Sequence, residues 1–301
     1  MGIKLLNTFL KRNFPRCISK KHWKQFSGKK IAVDTNNYIY KFLSEDGLQQ
    51  GFVRMCELFR YYDICPLFIF DGKPTNMKIE EIKQRKESRI KAKILFEKIK
   101  ETIDKKTKIE LKRKMVKVTK KETDLVKSII KTFGMKYMDS PEESDVLCCK
   151  LVTNKKVYAC LSEDMDMFSY GCPVVIRNYS NNPFISKYCL KDILKEMKVT
   201  LETFKYLTFL ANLKQENIFY YFKKIMGFDN KTTYSLFLFN KNIITEDQYI
   251  FIENKYKLFD LDKTDILSKC SYILINKRKP DLPKMFSLIE KQPEQLYFYP
   301  I

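Results

Sequence analysis

Three apolar runs in this chain each end at an aspartate. They are "KKIAVD", which closes at Asp34, "PLFIFD", which closes at Asp71, and "VYACLSEDMD", where Asp164 and Asp166 follow the run directly. All three are rich in β-branched or aromatic residues and read as strands. Helical stretches lie between them, among them Phe52 to Tyr62 and Asp124 to Thr132. Strands alternating with helices predict an α/β fold with a mainly parallel central sheet flanked by helices. The carboxyl ends of parallel strands share one edge, and ligands bind at that edge. One acidic strand end is an ordinary solvated turn. Three at one edge repel one another and cost stability unless cations neutralise them.

Bulk composition narrows the classes further. The chain has 301 residues, 45% of them hydrophobic, with 57 Lys and Arg against 36 Asp and Glu, a net charge of +21. That excess calls for a polyanionic partner, most plausibly nucleic acid, although charge alone also suits a membrane surface. No apolar run is long enough to span a bilayer or to act as a signal peptide, and "MGIKLL" carries Leu6 where a myristoylation site needs Ser or Thr. The nine cysteines include no C-x-x-C pair, so reduced and mostly buried thiols of an intracellular protein are expected. His22 is the only histidine, which leaves histidine-based acid–base chemistry little to work with.

Residues 78–121 differ in kind. They contain no Gly or Pro and carry 18 basic against 7 acidic residues, more than half the excess of the whole chain. Ile90, Ile94, Phe96, Ile99 and Ile103 give a partial helical stripe. A solvated surface helix pair explains such a run. A basic helical arm contacting phosphates also explains it, and the position straight after Asp71 favours the arm. The expected organisation is an α/β core over 1–200 with the arm inserted at 78–121. A smaller helical region follows over 201–280, then an extended tail over 281–301.

"SPEESDVLCC" adds Glu143 and Asp145. Ser140, Pro141 and Glu143 read as a capping box, which explains Glu143 without a metal and leaves Asp145 unexplained. With Asp34, Asp71, Asp164 and Asp166 this makes six hard oxygen donors, a set suited to Mg²⁺ or Mn²⁺. A pair of such ions supports phosphodiester hydrolysis by activating water and stabilising the leaving oxygen. Lys78 and Arg85 are seven residues apart, so on a helix they share a face and can meet one phosphate. By spacing alone they read equally well as surface cations.

In these motifs the chain resembles the flap endonucleases, the XPG-type structure-specific nuclease family. The carrying stretches are "MGIKLL", "IAVDTNNYIYKFL", "LFIFDGKPTNMKIEEIKQR", "RKMVKVTKKETD", "SPEESDVLCC" and "VYACLSEDMDMFSYGCPVVIR", in family order over residues 1 to about 180. The resemblance implies a PIN-like nuclease core and a helical arch that admits a 5′ single-stranded flap. It implies Mg²⁺-dependent cleavage, with two ions per site, at branched or flapped DNA in replication, repair or recombination. On it, Asp34, Asp71, Glu143, Asp145, Asp164 and Asp166 match the metal-binding acids, with Asp145 standing where glutamate is usual. Lys78 and Arg85 match the phosphate-contacting pair. Tyr40 matches an aromatic that stacks on a base. Gly2 matches the residue whose amino terminus lies near the active site once Met1 is removed. Lys112, Arg113 and Lys114, in the arch, are expected to contact DNA.

Beyond residue 200 the match weakens. At the place of the family's seventh acid this chain has Lys214, with Glu216 the nearest carboxylate. A shifted Glu216, a substituting Lys214 ammonium, or waters around Asp164 and Asp166 all remain open readings. "IMGFDNKTT" is a faint counterpart of the hairpin that grips duplex and binds K⁺. Gln292 with Phe298 and Tyr299 has the spacing of a sliding-clamp motif, but Gln295 replaces its aliphatic residue, and an apolar terminus packed on the domain explains the tail better. The alternative function is a catalytically weak DNA-binding scaffold; a metal-dependent ribonuclease is a third. A monomer acting at sites of DNA replication, in a nucleus or a viral replication site, with no membrane association, is the expected setting.

Overall fold

The computed structural model describes residues 6–45, 47–72, 79–99, 107, 111, 114–180, 182–212 and 279–290. In chain order these form α1 (Leu6–Asn13), β1 (Ile18–His22), β2 (Lys30–Asp34), α2 (Thr35–Ser44), α3 (Leu48–Tyr61), β3 (Cys65–Phe70), α4 (Ile79–Ile99), α5 (Lys120–Thr132), β4 (Lys136–Asp139), α6 (Ser144–Thr153), β5 (Ala159–Leu161), α7 (Asp166–Ser169), β6 (Val174–Arg177), β7 (Phe184–Cys189), α8 (Leu190–Met197), α9 (Leu201–Asn212) and α10 (Leu282–Glu290). They divide into two compact units. One comprises Phe26–Ser144 with Cys270–Ile301, and the other Met1–Gln25 with Asp145–Lys269.

In the Phe26–Ser144 unit, β3 pairs parallel with β2 on one side and with β4 on the other. Both inner runs, Ile31 to Asp34 and Pro66 to Phe70, are buried throughout. Continuous burial is what a parallel strand covered on both faces requires, so these stretches read as unbroken apolar runs rather than alternating ones. Phe68 packs against Phe52 and Phe59 of α3, with ring centroids 6.4 and 6.0 Å apart. Helix α5 starts with a reciprocal cap between Thr119 and Glu122, inside the "VTKKETD" stretch. In α4 the aliphatic stripe faces water: Ile90 and Ile94 are 50% and 54% exposed, while Ala92 is buried.

In the Asp145–Lys269 unit, β5 and β6 are parallel, β6 and β7 antiparallel, and β7 and β1 antiparallel. The expected mainly parallel pairing therefore holds for β2, β3 and β4 within the first unit and for β5 and β6 within this one, and the two antiparallel ladders involve β7. Trp23, Phe168 and Tyr188 are fully buried there. All cysteines among the described residues are free, and most are buried, as expected of reduced thiols. No helix among the described residues is long and apolar enough to cross a membrane.

Two local expectations change. Residues 282–290, expected to be extended, form α10. Asp281 accepts from the Lys284 N–H at 3.3 Å through its side chain and donates its own N–H to the Thr132 carbonyl at 2.9 Å, while Met285 is buried. Asp281 ahead of Pro283 is a helix-start signal that the Lys- and Pro-rich surroundings obscure. The expected capping box at Ser140 does not form either. Helix α6 starts at Ser144, and the Ser140 hydroxyl donates to the Glu143 carbonyl at 3.1 Å.

The segment before α6 is drawn over the end of β3. The Ser140 N–H donates to the Phe70 carbonyl at 2.8 Å, and the Gly72 N–H donates to the Glu142 carbonyl at 2.6 Å. A Cβ on Gly72 would stand 2.0 Å from the Ser140 carbonyl oxygen and 2.8 Å from the Pro141 carbonyl carbon, both backbone atoms. Glycine is demanded here by close approach.

Two stability predictions follow from this packing. Gly72→Ala should destabilise the protein by about 3 kcal/mol or more, since the clash is with backbone and cannot relax by a rotamer change; chemical denaturation measures this, and a loss under 1 kcal/mol would mean the segment moves freely. The second concerns Glu57, buried on α3. Burial pushes its carboxyl up from 4.5 to about 6, against a smaller opposing pull from Arg54. The folded state thus holds the proton more tightly than the unfolded chain does. The contribution is complete below pH 4.5 and is lost as pH rises through 6. Glu57→Gln should melt at the wild-type temperature near pH 4 and a few degrees above it at pH 8. An offset that does not change with pH would contradict this origin.

Candidate active site

Asp34 ends β2 and Asp71 follows β3 directly, so the parallel register, which sets Asp34 beside Ile69, delivers both to the carboxyl edge of their strands. Asp34 is only 4% exposed, whereas Asp71 faces solvent. Ser144, the first residue of α6, ties them together. Its hydroxyl stands 2.5 Å from Asp71 Oδ1 and 3.2 Å from Asp34 Oδ1, and its N–H donates to Asp71 Oδ1 at 2.9 Å. The single hydroxyl proton goes to the closer oxygen. Asn36 donates through Nδ2 to Asp71 Oδ2. Asp71 is therefore oriented by three donors, one of them at a helix N-terminus, where negative charge is favoured. Glu143 precedes Ser144 and Asp145 follows it in the first turn of α6; both are partly exposed.

In the other unit, the acids after β5 take separate tasks. Glu163 is a clasp: its carboxylate accepts from the backbone N–H groups of Asn178 at 3.0 Å and Tyr179 at 2.8 Å. Asn178 has φ of +65°, a left-handed conformation that this clasp holds in place. Arg177, 7% exposed, reaches back to donate to the Glu163 carbonyl and lies against the Met165 sulfur. Asp164 forms a tight turn. Its N–H donates to Ser162 Oγ at 3.0 Å, and its Oδ1 accepts from the Asp166 N–H at 2.9 Å. Asp166 opens α7 and is partly exposed. The loop that presents Asp164 and Asp166 is thus fixed by the Glu163–Arg177 arrangement.

Among the described residues, no three His, Cys, Asp or Glu side chains stand close enough to hold a metal ion. Carboxylates occur instead as the Asp34–Asp71 pair around Ser144 and as Asp164 beside Asp166. The donor set is all oxygen, which fits a hard divalent cation such as Mg²⁺. Tyr40 lies on α2 and is 42% exposed. Arg85 falls within α4, and Lys114 is exposed and helical. Gly2, Lys78, Lys112, Arg113, Lys214, Glu216, Gln292, Phe298 and Tyr299 lie outside the described residues. Sequence reasoning missed Ser144, Asn36 and Arg177. Only Ser144, a hydroxyl between two acids at a helix start, carried a readable signal.

Residues 1–92 match the XPG N-terminal domain, and residues 134–212 match the XPG I-region. Flap endonuclease 1 of Caenorhabditis elegans is 31% identical over 280 residues, 85% of this chain and 70% of the relative. Flap endonuclease 1 of Entamoeba histolytica is 30% identical over 279 residues, 86% of this chain and 72% of the relative. Among solved structures, the catalytic core of Rad2 in complex with DNA substrate matches with a TM-score of 0.62 at 21% identity, covering 96% of this chain and 95% of that one. Flap endonuclease-1 from Methanococcus jannaschii matches with a TM-score of 0.58 at 22% identity, covering 98% and 94%. The structural matches establish the PIN-like nuclease fold. With both XPG regions matched in order and identity sustained over most of a relative's length, the chain belongs to the XPG family of nucleases, the family of the flap endonucleases.

Proposed function

We propose that this protein is a Mg²⁺-dependent structure-specific 5′ nuclease that cleaves 5′ flaps or related branched DNA in replication, repair or recombination. The observation that carries the reading is the pairing of Asp34 and Asp71 at the carboxyl edge of adjacent parallel strands, oriented by Ser144 and Asn36. A fold-stabilising role does not call for two carboxylates held side by side. Similarity to flap endonucleases at about 31% identity supports the same reading.

Asp34, Asp71, Glu143, Asp145, Asp164 and Asp166 would hold two divalent ions, with Glu216 a candidate seventh ligand. When bound, such ions lower the pKa of a coordinated water and stabilise the leaving oxygen of the phosphodiester. The protein's own contribution is orientation. Asn36 and Ser144 restrict Asp71 to one rotamer, and Asp164 is fixed by its turn with Asp166. Lys78 and Arg85 would clamp the scissile phosphate, offsetting charge that develops in the transition state. Tyr40 would stack on a base beside the cleaved bond. Lys112, Arg113 and Lys114 would contact backbone phosphates of the flap. Gly2 would lie close to this centre after Met1 is removed.

The test uses labelled flap, nicked, duplex and single-stranded DNAs, with and without Mg²⁺. Cleavage near the flap junction only with Mg²⁺ is the expected result. Asp71→Ala or Asp164→Ala should lower the rate at least about a thousandfold while flap binding persists, because several kcal/mol of charge stabilisation are lost. Wild-type protein that binds flap DNA without cutting it would instead identify a scaffold.

A further inference from the structure

The β1–β7 ribbon carries positive charge that the nuclease reading leaves unused. No acidic residue occurs between Met1 and Val33, nor between Met167 and Lys191, and these segments supply both strands of the ribbon and the turn before β7. At its end Phe184 stands opposite His22 and is 42% exposed. The Lys20 ammonium lies 4.7 Å over the Phe184 ring centroid, and the His22 ring meets the same ring edge-on at 5.4 Å. A cation–π contact of this kind holds a lysine in place without neutralising it. Lys24 follows, exposed, with its N–H donated to His22 Nδ1 at 3.1 Å. The corner is braced further by Trp23 N–H to the Pro183 carbonyl at 3.0 Å and Phe184 N–H to Asn182 Oδ1 at 2.9 Å.

The pairing register places this corner. Ser162 donates its N–H to the Ile176 carbonyl beside Arg177, Arg177 pairs with Ser186, and Ser186 pairs with Lys20. Lys20 is therefore level with the start of the Ser162–Asp166 loop, three strand spacings away, or about 14 Å. Duplex DNA rises about 3.4 Å per base pair, so that distance spans about four pairs.

We infer that the end of the β1–β7 ribbon, with Lys20 and Lys24 held around Phe184 and His22, is a second nucleic-acid contact that grips backbone phosphates roughly four base pairs from the Asp164–Asp166 loop. The occupant is DNA, because both strands of the ribbon lack acidic residues, Lys20 and Lys24 are exposed at its end, and that end sits on the same sheet edge as the proposed cleavage loop. This inference rests on the nuclease reading above.

Fluorescence anisotropy on labelled flap DNA over a salt series tests it. In Lys20→Gln/Lys24→Gln the slope of log affinity against log salt should fall by about two, and affinity should drop several-fold near physiological salt. Lys20→Arg/Lys24→Arg should restore both, and melting curves of the two variants should overlay the wild type, which separates lost contacts from lost structure. An unchanged slope and affinity in the glutamine variant, with wild-type protein still binding and cutting flaps, would overturn the second contact alone. Loss of binding to phosphatidylserine vesicles with DNA binding unchanged would overturn it in favour of a membrane surface. Wild-type protein that neither binds nor cuts flap DNA would overturn the nuclease reading itself.

Discussion

A carboxylate placed at the end of a buried strand needs donors or a cation, and this constraint organises both units. In one, Asp71 takes an N–H and a hydroxyl from Ser144 and an amide from Asn36. That requires α6 to start beside the end of β3, so the preceding segment crosses Gly72 at a distance no side chain would permit. In the other, Glu163 takes two backbone N–H groups beyond β6, and Arg177 locks the loop from beneath. The acids satisfied within the protein thereby position the neighbours offered to solution.

The strand ends were legible in the sequence because continuous burial of parallel strands leaves a plain signature: an apolar run stopped by a charge. Asp34 and Asp71 stand where that pattern predicts, and β5 is shorter than its run, Ala159–Leu161 rather than Val157–Leu161. What a carboxylate does was not legible. Glu163 and Asp164 are adjacent in sequence, yet one clasps backbone and the other closes a turn, a difference set by how β6 ends. Ser140 looked like a helix cap because its neighbours fit the motif. The pull of the Phe70 and Gly72 backbone moved the helix start to Ser144. The stripe on α4 gave a helix but not its surroundings: Ile90 and Ile94 are half exposed, since periodicity reports a face and not what covers it.

Charge is divided along the chain in a way that suits one polyanion. Acids gather where strands end, while cations populate α4 and the β1–β7 ribbon. Phosphate contacts position a nucleic acid and carry most of its affinity, whereas chemistry needs only the few acids at the centre. On the proposed reading, selectivity for a DNA shape would come from where the cations stand along the nucleic acid rather than from the acids.

The central claim is that these carboxylates are paired for a divalent cation and repel one another without it. Thermal unfolding in EDTA and in excess Mg²⁺ tests this without any substrate. The account predicts that Mg²⁺ at about a hundredfold over its dissociation constant stabilises the wild type by about 2.7 kcal/mol, a rise of several degrees in melting temperature. Asp34→Asn/Asp164→Asn should lose that rise and melt no lower than wild type in EDTA. A wild-type melting temperature that is the same in EDTA and Mg²⁺ would contradict the account.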